Sequence, residues 1–145
     1  MEEKTILIVE DNADDKELIL RAFRKCSINA RPVVAHDGVE ALDYMHSRGM
    51  FAKKEESEMP SLILLDLKLP KVDGKEVLKA LRSDEKYKYI PVIILSSSSE
   101  KNDVNDCYLL GANSYIKKPI DFKEFMDIIQ LVEKYWLEYN ELPRL

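Results

Sequence analysis

The chain has 145 residues, which at about 100 to 200 residues per domain is one folding unit and no more. Hydrophobic residues make up 46% and charged residues 34%, a balance that excludes disorder, and no apolar run approaches the length of a membrane span. A net charge of -5, from 27 acids and 22 bases, disfavours nonspecific nucleic-acid binding and suits a protein that meets metal ions or basic partners.

The scarce residue types exclude further classes. Two cysteines (Cys26, Cys107) and two histidines (His36, His46) are spaced too widely for a zinc finger or a HExxH site, and the cysteines read as reduced, small, buried residues. None of the four glycines (Gly38, Gly49, Gly74, Gly111) lies close enough to another to form a phosphate-binding loop or a dinucleotide fingerprint. The acidic start Met1-Glu2-Glu3-Lys4 is unlike a secretory leader, so the expected compartment is the cytoplasm.

In chain order, aliphatic and β-branched runs recur every 25 to 30 residues or so with amphipathic stretches between them, the pattern of βαβ units in a parallel sheet. Strands are predicted over 5–9, 32–35, 61–65, 91–95 and 113–117, and the first, third and fourth are unbroken aliphatic runs suited to the sheet centre. Helices are predicted over 14–25, 39–48, 75–82, 102–110 and 122–139. Asp73 and Asp121 stand at cap positions, each with a glutamate three residues on, while Gly49 and Gly111 stand where the second and fourth helices should end. Phe122, Phe125, Met126, Ile129, Val132 and Trp136 draw an apolar stripe along the last helix. The segment 50–60 reads as a solvated loop.

Ligands of an open parallel sheet bind beyond the carboxyl ends of its strands. The residues there are Glu10 and Asp11 after the first strand, Asp66 after the third, Ser96 after the fourth, and Lys118 with Pro119 after the fifth. Three carboxylates on one rim repel one another unless a cation compensates, and Mg²⁺, a hard ion that takes oxygen ligands, is the natural choice. An ammonium and a hydroxyl beside that metal make a receptor for a phosphoryl group, with Asp66 as the nucleophile and an acyl phosphate as its product.

Val9-Glu10-Asp11-Asn12, Leu64-Leu65-Asp66-Leu67-Lys68-Leu69-Pro70-Lys71-Val72-Asp73-Gly74, Leu95-Ser96-Ser97 and Tyr115-Ile116-Lys117-Lys118-Pro119 together resemble the CheY-like receiver domain of response regulators. The resemblance runs over 4–132 and implies a single doubly wound (βα)5 domain of the flavodoxin-like α/β class, strand order 2-1-3-4-5. Residues 133–145 would then be a C-terminal extension of the last helix and a tail, with no separate effector domain. It implies that Asp66 accepts phosphate from a histidine kinase, and that Glu10, Asp11, Asp66 and the backbone carbonyl of Lys68 hold Mg²⁺. It further implies that Ser96 and Lys118 contact the phosphoryl oxygens, that Ser96 and Tyr115 form the switch, that the bond before Pro119 is cis, and that Lys68 and Ser98 tune dephosphorylation. Serine at 96 replaces the commoner threonine.

A narrower likeness, carried by the loop before the third strand, by Asn113-Ser114-Tyr115 and by the tail Tyr135-Trp136-Leu137, points to the small regulators that pair with phytochrome-type histidine kinases. The implied output is protein association through the fourth helix, fifth strand and fifth helix, or transfer of phosphate to another histidine. Trp136 and Tyr139 would either help form a homodimer or fold back on their own sheet. Two rival readings share the fold. A haloacid-dehalogenase-like phosphatase requires a second acid two residues after the nucleophile, where this chain has Lys68, and an FMN carrier requires a first loop that does not repel phosphate, where this chain has Glu10 and Asp11.

Overall fold

The structure is a computed structural model, and it describes residues 3–25, 29–54 and 59–143. Five strands form one parallel sheet: β1 (Lys4–Val9), β2 (Ala30–Ala35), β3 (Leu62–Leu65), β4 (Val92–Ser96) and β5 (Ser114–Lys117), in the order β2-β1-β3-β4-β5. Helices α1 (Ala13–Lys25), α2 (Gly38–Met45), α3 (Gly74–Ser83) and α4 (Lys101–Leu109) make the crossovers, and α5 (Phe122–Glu133) follows the last strand. This is the expected doubly wound topology, and the element boundaries lie within a few residues of those predicted.

The central strands are buried on both faces, and the alternation of their side chains sorts the core into two layers. Leu7, Val9, Ile63, Leu65 and Ile94 face Ala41 and Tyr44 of α2, Val77, Leu78 and Leu81 of α3, and Cys107 of α4. Ile6, Ile8, Leu62, Leu64, Ile93 and Leu95 face Ile19, Ala22 and Phe23 of α1 and Phe125, Ile129 and Val132 of α5. Cys107 is fully buried as expected, and Cys26 lies outside the described residues.

Two N-caps follow the sequence, at Asp73 and Asp121, and Asp37 caps α2 in the same way. The carboxylates of Asp37 and Asp73 accept the backbone N–H of Glu40 and Glu76 at 2.8 and 2.9 Å, and Asp121 accepts from Lys123 at 3.0 Å. Gly111 (φ 104°) closes α4, with the Ala112 N–H on the Cys107 carbonyl at 2.9 Å. At α2 the expectation fails. Ser47, left-handed at φ 52°, ends the helix two residues early, and Gly49, also left-handed at φ 58°, instead opens a 3₁₀ turn (Gly49–Phe51).

Three further departures concern the surface. Phe122, placed in the apolar stripe by its spacing, is exposed because it opens α5, ahead of the turn that meets the sheet. Lys54 leaves the solvated loop to donate to the Tyr87 hydroxyl at 2.7 Å, with its ammonium 4.5 Å from the centre of the Tyr44 ring. Residues 55–58 of that loop lie outside the described residues. Past Glu133 the last helix widens into a π-helical turn (Lys134–Tyr139), where the Asn140 N–H reaches the Tyr135 carbonyl. Leu137 stands five residues after Val132, which an α-helix would turn roughly 140° away. The wider turn keeps Leu137 on the buried face, and Lys4 Nζ donates to its carbonyl. Trp136 packs half-buried on the same layer, whereas Tyr135 and Tyr139 point outward.

Candidate functional site: a carboxylate cluster closed by one lysine

The site is built where the parallel strands end together. The Asp66 N–H bonds the Val9 carbonyl and the Glu10 N–H bonds the Ala35 carbonyl, each at 3.0 Å, so the ladder holds both acids one step beyond their strands. Ser96 pairs with Lys117 across β4 and β5, and its carbonyl accepts the Lys118 N–H at 2.7 Å. The loop after β3 returns close beneath Asp66. A Cβ on Gly74 would lie 2.3 Å from the Asp66 carbonyl oxygen and 2.6 Å from Leu67 Cα, so only glycine fits there.

Glu10, Asp11 and Asp66 each bring a carboxylate oxygen to within 4.8 Å of the others. Glu10 and Asp66 are buried and Asp11 is exposed at the mouth. Oxygen donors of this number and spacing fit a hard divalent cation, whose remaining positions water and a phosphoryl oxygen could fill. Burial and the neighbouring Asp66 push the Glu10 carboxyl up to about 8 despite the pull of Lys118. A buried acid so reluctant to ionise is itself a sign that positive charge belongs in the cluster.

Lys118 provides part of that charge. Its ammonium lies 2.9 Å from Glu10 Oε1, 3.2 Å from Asp66 Oδ2 and 2.8 Å from Asp15 Oδ2, and its side chain is only 10% exposed. Burial works against the ammonium, but these carboxylates outweigh it and hold Lys118 above the ordinary lysine range. Asp15, in the first turn of α1, escaped the sequence reading because it follows no strand directly. Its signal was the Asn12 cap, whose Oδ1 accepts the Asp15 N–H at 2.9 Å and orients the turn toward the rim.

Ser96 is fully buried, with its Oγ accepting the Ser98 N–H at 3.2 Å. The Tyr115 hydroxyl donates to the Ser98 carbonyl at 2.8 Å, and burial raises its phenol above the usual range. The Ser98 hydroxyl donates to Asp103 Oδ2 at 2.6 Å, and Asp103 in turn pairs with Lys75 at 2.9 Å. The two proposed switch residues are thus linked through Ser98 to the facing ends of α3 and α4. Lys68 stands exposed at the mouth, with its N–H a long 3.4 Å from Asp66 Oδ1. Pro119 departs from expectation, since the described residues contain no cis peptide bond and Lys118–Pro119 is trans. A prolyl bond retains a trans preference of about 0.5–1 kcal/mol.

Residues 6–130 match the response regulator receiver domain. Response regulator Rcp1 of Synechocystis sp. is 36% identical over 140 residues, spanning 97% of this chain and 93% of its own. The probable methanogenesis regulatory protein FilR2 of Methanothrix harundinacea is 38% identical, over 95% of this chain and 86% of its own. Among solved structures, the Mn²⁺-bound form of Rcp1 superposes with a TM-score of 0.90 at 35% identity, covering 97% of this chain and 99% of that one. The phosphorylated cyanobacterial phytochrome response regulator RcpA gives 0.91 at 39% identity, covering 98% and 99%.

A doubly wound sheet whose strand ends gather three acids, a hydroxyl and a lysine defines a phosphoryl-accepting signalling module, not a conventional enzyme. The chain belongs to the response regulator receiver family of two-component signalling.

Proposed function

We propose that Asp66 is the phosphoacceptor. One Asp66 carboxylate oxygen attacks the phosphorus of a phosphohistidine, the P–N bond breaks, its electron pair stays on the imidazole nitrogen, and an acyl phosphate forms. The observation that carries this reading is the position of Asp66: buried, in the carboxylate cluster, and 3.2 Å from the one ammonium that faces it among the described residues.

Mg²⁺ held by Glu10, Asp11, Asp66 and the Lys68 carbonyl would neutralise the charge that develops on the phosphoryl oxygens. Lys118 donates to one of those oxygens. Ser96 offers a second donor once its hydroxyl turns toward the new group, and Tyr115 follows the space it leaves. Lys68 and Ser98, at the mouth and beside Ser96, set how easily water reaches the acyl phosphate. The protein turns over nothing but this bond.

Residues 1–132 act as the receiver and 133–145 as its C-terminal extension, helical through Tyr139 and non-helical over 140–143 among the described residues. The exposed Tyr108 and Leu109 on α4 support an output surface on α4, β5 and α5, read by a downstream protein or a phosphotransfer histidine. The donor is a cytoplasmic histidine kinase of the phytochrome type, a reading supported by the likeness to RcpA. Of the two residues expected at a homodimer contact, Trp136 packs on its own sheet and Tyr139 is exposed, so self-association would use Tyr139 with the neighbouring exposed Tyr135 and is checked by light scattering with and without phosphorylation.

Incubation with acetyl phosphate and Mg²⁺ should add one phosphoryl mass to the protein and none to Asp66→Asn. An unchanged mass spectrum of the wild-type protein, or equal labelling of the variant, overturns the assignment.

A further inference from the structure

Lys118 has three N–H donors and three carboxylate oxygens within reach, those of Asp15, Glu10 and Asp66. Two of the three acids belong to the cluster that fits a divalent cation. A cation there would take up the charge of Glu10 and Asp66 and, being positive itself, would repel the ammonium. Asp15 stands outside that cluster, at the shortest distance of the three, with its side chain 25% exposed. It is also fixed from behind. Asn12 caps the turn that carries Asp15 through its side chain, while the Asn12 N–H bonds Glu10 Oε2 at 3.2 Å, so one residue orients both flanking acids.

We infer that Asp15 is a positioning residue for phosphoryl transfer: it anchors Lys118 from the α1 side and keeps the ammonium at the rim when metal and phosphoryl group claim Glu10 and Asp66. One ammonium donor stays on Asp15, and those that Glu10 and Asp66 release turn to the phosphoryl oxygens without the lysine changing place. The inference rests on Asp66 being the acceptor, and it adds a residue that touches neither phosphoryl group nor metal.

Asp14 is the natural control, since it is the neighbouring acid on the same turn, exposed, and directed into the groove between α1 and α5. The test measures phosphorylation by acetyl phosphate at saturating Mg²⁺ for Asp15→Asn, Asp15→Glu and Asp14→Asn. Misplacing a reacting group by about 1 Å can cost on the order of 100-fold, so a loosened but still present lysine should cost about tenfold in Asp15→Asn. Asp15→Glu should regain part of the rate, and Asp14→Asn, with the same change of net charge, should stay within about twofold of wild type. A second readout needs no phosphorylation: the Lys118 ammonium protons, followed by ¹H–¹⁵N spectroscopy with Mg²⁺ present, should exchange slowly in the wild-type protein and be lost in Asp15→Asn. Asp15→Asn at the wild-type rate, equal losses in Asp14→Asn and Asp15→Asn, or an unchanged Lys118 signal overturns the inference. A wild-type protein that takes no phosphate overturns instead the reading on which it rests, and the ammonium signal still decides whether Asp15 anchors Lys118.

Discussion

Arg82 Nη2 donates to Asn113 Oδ1 at 2.8 Å, and the same oxygen accepts the Val92 N–H at 2.9 Å. The rest of the guanidinium bonds the carbonyls of Gly111, Lys88 and Ile90 at 2.8 to 3.1 Å. One half-buried side chain at the end of α3 therefore closes the turn after α4 and the loop before β4. Arg82→Ala strips donors from several carbonyls at once, and a loss of about 2–3 kcal/mol is expected. Arg82→Lys should recover only part of it, since an ammonium cannot span the same fork. Urea denaturation of the three proteins measures both.

The raised Glu10 carboxyl makes the metal-free protein sensitive to pH. Folded Glu10 titrates near 8 and unfolded Glu10 near 4.5, so between these values the folded state binds more protons than the unfolded one. Stability should therefore fall as pH rises from about 5 to 8 in EDTA. Mg²⁺, binding the ionised form, should restore it at the upper end, and Glu10→Gln should flatten the dependence. Thermal melts across this range, with and without Mg²⁺, check all three.

Gly74→Ala forces a methyl group into the Asp66 carbonyl, where backbone has to give way. A cost of about 2–3 kcal/mol is expected, together with slower phosphorylation, because the peptide that must move carries Asp66. A variant with wild-type stability would contradict the close packing of the β3–α3 loop.

Lys75 bridges Asp103 and Asp106 at 2.9 and 3.1 Å near the surface, where salt screens such pairs. Lys75→Met should cost about 1 kcal/mol at low ionic strength and much less in 1 M NaCl. The Ser98 hydroxyl and Lys75 hold the Asp103 carboxyl below the usual carboxylate range. Its contribution is present above the unfolded value of 3.8 and is lost as pH falls below that, so acid denaturation should begin at a higher pH in Asp103→Asn.

The last turn of the chain tests the π-helical geometry. Leu137→Ala empties a buried position against Ile129 and Val132, and about 2–4 kcal/mol should be lost. Tyr139→Ala, on the outward face, should cost less than about 0.5 kcal/mol.

Much of this protein was legible before any coordinates. The spacing of aliphatic runs specified a parallel sheet, because strands buried on both faces must be apolar throughout. The residues directly after those runs named Glu10, Asp11, Asp66, Ser96 and Lys118, because a parallel sheet brings its carboxyl ends to one edge. Local chemistry also fixed the caps at Asp73, Asp121 and Gly111, since each satisfies orphan backbone groups within one turn.

What the sequence could not decide depends on groups far apart along the chain. Asp15 and Lys118 are 103 positions apart, and their contact follows from how α1 sets out over the rim. Arg82 looks like any arginine ending a helix until the turn at Gly111 and Asn113 arrives beside it. Ser47 rather than Gly49 ends α2, and Leu137 rather than Trp136 alone fills the last buried position, because packing of the whole element outweighed the local preference of a residue. Periodicity determines which face of an element is apolar; only the packed structure determines which polar groups then meet, because their distances are set by every crossover between them.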